Sequence, residues 1–95
     1  MPADKISGIL GLCRRAGRLV LGFDITAEVI AKKTACLVLL AKDASPRTPR
    51  EITKTAQEAG LPVRTLPLTM DEISYAVAKR AGVLAVCDSG FANKI

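Results

Sequence analysis

CLVLLA, Cys36 to Ala41, is an unbroken apolar run of strand length. A strand with one wet face alternates apolar and polar side chains, so an uninterrupted run marks a strand covered on both faces, in the middle of a sheet. Reading back from it, Phe23 to Lys33 has helical periodicity, with Ile25, Val29 and Ile30 facing inward and Lys32 and Lys33 near the C-terminus, where cations suit the helix dipole. Leu19 to Leu21 is too short for a helix between Gly17 and Gly22 and reads as a brief strand. Ile6, Ile9, Leu10 and Cys13 keep the i, i+3, i+4, i+7 spacing of a helix over Ala3 to Ala16.

Reading forward, Lys42 to Thr48 is a polar loop holding Pro46, and Pro49 opens a helix lined by Ile52, Ala56 and Ala59 and stopped by Gly60. Val63 to Leu66 is a short strand. Thr69 and Glu72 form a capping box ahead of Ile73, Ala76 and Val77, which predicts a fourth helix. Val83 to Cys87 is a second buried strand, and Gly90 leads into a terminal helix over Phe91 to Ile95. Helices and strands alternate throughout, which predicts an α/β fold: a three-layer α-β-α sandwich around a four-stranded mixed sheet.

The chain has 95 residues, enough for one domain (1–95) and too few for two cores. With 49% apolar and 24% charged residues, its composition is that of a folded protein. Phe23, Tyr75 and Phe91 are the only aromatics, so the core is aliphatic and the stacking platform used by single-strand binders is missing. Fourteen Lys and Arg against nine Asp and Glu give a net charge of +5, which favours a polyanionic partner: RNA, DNA or an acidic protein surface.

Cys13, Cys36 and Cys87 are far apart in sequence, lie among apolar residues and read as small core side chains. With no histidine and no CxxC, neither a metal site nor a cofactor is expected. Ser7, Ser45, Ser74 and Ser89 lack a histidine base, and there is no Walker or GxGxxG loop, so the chain is not expected to be an enzyme. No signal peptide is read at the N-terminus and no run approaches the roughly 20 apolar residues of a membrane span, so a cytoplasmic monomer without a membrane partner is expected.

The clearest functional signal is LGLCRRAGRLVLGFDITAE, Leu10 to Glu28. Arg14, Arg15 and Arg18 precede Gly22 at a helix start, where free backbone N–H groups and a partial positive charge suit phosphate. Lys33, Lys42 at the exit of the central strand, and Lys79 with Arg80 before Ala81-Gly82 add further basic positions. Asp24 and Glu28 oppose phosphate on the first turns of the same helix. Each basic turn also has a simpler reading, as a solvated helix end.

LGLCRRAGRLVLGFD, then CLVLLAKDASP and VLAVCDSGFANKI, resemble the bacterial YlxQ-like branch of the kink-turn-binding ribosomal-protein superfamily, which includes the large-subunit proteins called seven-Ae and thirty-e. The likeness covers nearly the whole chain, through Ala16-Gly17, Leu19, Gly22, Ala41-x-Asp43-Ala44 and Asp88-x-Gly90-Phe91. It implies an α-β-α sandwich binding RNA, ribosomal RNA included, through the start of helix two and neighbouring loops. Family members that grip kink-turns carry G-x-N-E-x-x-K there, and the matching positions read Gly22, Phe23, Asp24, Ile25, Thr26, Ala27 and Glu28. Only the glycine is kept: Asp24 cannot donate, Ile25 does neither, and Glu28 reverses the lysine's charge. The LG pair opening the family's other RNA-contacting turn reads Ile73-Ser74. The resemblance thus implies a non-catalytic RNA binder with a degenerate kink-turn motif. The alternative is a protein-interaction domain with a partner at Phe23 and Ile25.

Because the cysteines lack metal-ligand spacing, EDTA should leave the melting temperature unchanged; a sharp drop in a thermal scan would contradict this.

Overall fold

The computed structural model describes residues 3–95. Its elements run α1 (Ala3–Arg15), β1 (Leu19–Leu21), α2 (Phe23–Ala31), β2 (Leu37–Leu40), α3 (Arg47–Glu58), β3 (Val63–Thr65), α4 (Met70–Val77), β4 (Val83–Val86) and α5 (Ser89–Ala92). The strands form one sheet in the order β1-β4-β2-β3. β2 and β3 pair parallel, while β4 runs antiparallel to both neighbours, so the sheet is mixed as the alternation of elements implied.

β2 and β4 hold the two central positions, and every residue of both is buried. Successive strand side chains point to opposite faces, which sorts these residues into two cores. Leu37, Leu39, Leu84 and Val86 pack with Ile6, Leu10 and Cys13 of α1 and Ile73 and Val77 of α4. Val38, Leu40, Val83 and Ala85 pack with Ile30 of α2 and Ile52 and Ala56 of α3. Helices therefore cover both faces. No described helix is long and apolar enough to cross a membrane.

Four local expectations are corrected. Ile25 does not face inward: it is 42% exposed, while Thr26 and Ile30, four residues apart on one face of α2, are buried. Thr26 brings a hydroxyl into the core that has no hydrogen-bond partner. α2 stops at Ala31, because Lys33 takes a left-handed φ of 62° and the Thr34 and Ala35 amides turn back to the Val29 carbonyl. α3 starts at Arg47, ahead of Pro49, which lies in the first turn where a missing N–H forfeits no helical bond. α5 begins at Ser89, because the Asp88 carboxylate accepts from the Phe91 N–H at 3.1 Å.

The cysteines also differ from expectation. Cys13 is buried, and burial pushes its thiol up to about 11, but Cys36 and Cys87 are half-buried. They flank the Leu37–Val86 pair at the end of the central ladder, where the Cys36 N–H donates to the Val86 carbonyl at 2.7 Å.

The capping box at the start of α4 forms as expected: the Thr69 hydroxyl accepts from the Glu72 N–H at 3.1 Å, and Glu72 Oε1 accepts from the Thr69 N–H at 2.9 Å.

Leu39→Ala, at a fully buried central-strand position, should cost about 2–5 kcal/mol in chemical denaturation; a loss below 1 kcal/mol would mean that β2 is not covered on both faces. Glu72 titrates below the ordinary carboxylate range, held there first by the Thr69 backbone N–H and then by the Thr69 side chain. A depressed folded-state pKa contributes stability above the unfolded value and loses it as pH falls through the folded one. Wild type should therefore outlast Glu72→Ala in denaturant at neutral pH, and the gap should close as the solution is acidified below the carboxylate range. A gap independent of pH would contradict the capping role.

Candidate nucleic-acid interface

Because β4 opposes β1 and β2, the chain leaves β1 and β2 at the same end of the sheet at which it enters β4. The start of α2 (Gly22, Phe23), the β2–α3 loop (Ala44, Ser45), Met70 of α4 and Gly82 before β4 line a groove there of about 240 Å³.

Local geometry explains the residues. Gly22 has φ 111° and ψ 158°, a conformation that side chains disfavour, and its N–H donates to the Val83 carbonyl at 2.9 Å. It ties the end of β1 to the start of β4 and turns the chain directly into α2. No side chain caps α2, so its first amides keep the free donors and positive end of an open helix start. Gly82 fits for a different reason. A Cβ there would meet Ala44 Cβ and Met70 Sδ at 3.2 Å, a tight approach, so glycine lets the α4–β4 turn close against the β2–α3 loop without displacing either neighbour.

The structure divides the sequence-predicted site residues between the two ends of the sheet. Gly22 and Phe23 line the groove, and Asp24 and Ile25 are exposed on the adjoining first turn of α2. Lys42 begins the β2–α3 loop, its N–H bonded to the Leu68 carbonyl. Asp43 Oδ1 accepts from the Met70 N–H at 2.8 Å and fastens the start of α4 to the loop. Lys79 and Arg80 lie in the turn leading back to Gly82, where Arg80 pairs with Asp71 at 2.9 Å. Ile73 and Ser74 do not form a turn: Ile73 is a core residue within α4, and the chain after α4 reaches the groove at Gly82.

Arg14, Arg15, Arg18 and Lys33 stand apart from this group. β1, about 10 Å long, separates Arg18 from Gly22, and Lys33 lies beyond the far end of α2. Sequence proximity to Gly22 suggested one surface; the intervening strand puts the arginines at the opposite end.

Glu28 is exposed one turn further along α2, where it pairs with Lys32 at 2.7 Å. The hydrogen bond from Lys32, and then its charge, hold the Glu28 carboxyl below its ordinary range, so it is ionised at neutral pH. Sequence reasoning missed Ala44, Ser45, Thr48, Met70 and Gly82 as groove residues. Only Gly82, a glycine directly before a buried strand, carried a local signal of close approach.

Comparison with known proteins agrees with this fold. The chain is 35% identical over 88 residues to the RNA-binding protein YlxQ of Bacillus subtilis, covering 92% of this chain and 87% of that one. It is 31% identical over 91 residues to the RNA-binding protein YlxQ of Enterococcus faecium, covering 96% and 87%. Among solved structures, a protein of unknown function from Bacillus halodurans superposes with a TM-score of 0.88 at 26% identity, covering 98% of this chain and 93% of that one. A model of the ribosomal protein L7Ae/L30e/S12e/Gadd45 family matches residues 4–95, and with sandwich, relatives and match in accord the chain belongs to that family.

Proposed function

We propose that this protein is a non-catalytic RNA-binding module of the cytoplasm, monomeric and acting on structured RNA such as that of the ribosome. The observation that carries the reading is the uncapped start of α2 opening onto the groove with Gly22 and Phe23. The names of the B. subtilis and E. faecium relatives support it. Backbone N–H groups and the helix dipole offer an anion site, and Lys42, Lys79 and Arg80 supply charge beside it.

Kink-turn recognition is degenerate in this reading. Asp24 offers acceptors only, Ile25 has no polar group, and the ionised Glu28 pairs with Lys32, just past the end of α2. None of the three donates to guanine O6 or N7. A second reading, a protein partner seated on Phe23 and Ile25, is favoured by the 42% exposure of Ile25 beside the groove. That partner would bind without salt dependence, whereas RNA retention weakens steeply with salt.

The test is a low-salt titration of a kink-turn RNA with wild type and with the triple variant Asp24→Asn, Ile25→Glu, Glu28→Lys. Wild type should bind poorly and the variant should gain, each restored base contact contributing on the order of 1–3 kcal/mol. A folded variant with no gain would contradict the role given to this helix face. Wild type that retains no RNA of any kind would contradict the RNA reading itself.

A further inference from the structure

Among the described residues, four cations without an ion-pair partner stand together at the end of the sheet away from the groove. Arg14 and Arg15 close α1, Arg18 precedes β1 and Lys33 follows α2, and all four are exposed. They belong to one surface. The Gly17 N–H bonds to the Arg14 carbonyl and the Arg18 N–H to the Cys13 carbonyl, both at 3.0 Å, which folds Arg18 back onto the end of α1. The Arg18 carbonyl accepts from the Cys87 N–H at 2.8 Å, and the Cys87 thiol lies near both the Arg18 charge and Thr34, the neighbour of Lys33.

Among the described residues none of the four has an ion-pair partner, whereas Lys32, Arg47 and Arg80 each do. Asp88, on the same end, spends its carboxylate capping α5. Toward the groove, by contrast, Arg47 is paired with Glu51 and Arg80 with Asp71. Helix dipoles account for cations closing α1 and following α2, but Arg18 lies ahead of a strand. Of the three guanidiniums, the one side-chain hydrogen bond among the described residues is Arg15 Nε to the Gly11 carbonyl, at 3.4 Å. The forked donors are left for a ligand with several acceptor oxygens.

We propose that Arg14, Arg15, Arg18 and Lys33 form a second RNA-contacting face, which takes backbone phosphates without reading sequence, so that one molecule holds two RNA segments at opposite ends of its sheet. This rests on the RNA reading above and goes beyond it, since that reading needs only the groove end.

The experiment uses an immobilised hairpin RNA, the full chain, and a second, fluorescent hairpin of unrelated sequence at low salt. Wild type should retain the second RNA on the first and release it as salt rises. The quadruple variant Arg14→Ala, Arg15→Ala, Arg18→Ala, Lys33→Ala should still bind the immobilised hairpin but lose the second, with the slope of log affinity against log salt shallower by up to about 3 units. The version carrying lysine at the three arginine positions and retaining Lys33 should bridge as wild type does, which separates a charge effect from a folding defect. Bridging that survives in the quadruple variant, or wild type that binds each hairpin and never both, would overturn the proposal. Wild type that binds neither hairpin would instead contradict the underlying RNA reading.

Discussion

The antiparallel pairing of β2 with β4, each buried along its whole length, is the constraint on which the rest of the molecule depends. Two adjacent strands with apolar residues on both faces are stable only when helices cover both sides. α1 and α4 take one face, α2 and α3 the other, and each contributes a few aliphatic side chains at helical spacing. With both faces covered, the polar chemistry is left to the loops at the two ends of the strands.

The direction of β4 then decides what meets at each end. Had it run parallel to β2, Gly82 would have stood at the opposite end from Gly22. Instead the Gly22 N–H reaches the Val83 carbonyl, and Gly82 lies against Ala44 and Met70. Glycine suits both positions, for backbone conformation at Gly22 and for side-chain clearance at Gly82. The other end collects the termination of α1 and α2, the entry to β1 and β2, and the exit from β4, together with Arg14, Arg15, Arg18 and Lys33. Four basic residues and the open helix start therefore lie at opposite ends of one sheet.

Much of the fold was legible in the sequence because its signals are local. The unbroken run of Cys36 to Ala41, the Thr69 and Glu72 box and the glycine stops each specify an element without reference to its neighbours. The central place and the reversal of β4 were not legible, since the pairing partners of β4 lie more than forty residues away along the chain. The same gap misplaced the site. Arg18 and Gly22 are near neighbours in sequence, but an intervening strand carries them to opposite ends, while Gly22 and Gly82 meet through sheet pairing. The apolar character of Ile25 points it inward, but the fold sets the helix phase by burying Thr26.

The central claim is that RNA is met at two separate ends of the sheet. Backbone amide chemical shifts, followed while a short RNA hairpin is titrated into isotopically labelled protein, test it most directly. The account predicts two sets of perturbed amides, one spanning Gly22 to Thr26 with Ala44 and Gly82, the other spanning Arg15 to Arg18 with Lys33 and Thr34, and little change along α3. Shifts confined to one end, or spread along α3 and β3, would contradict it.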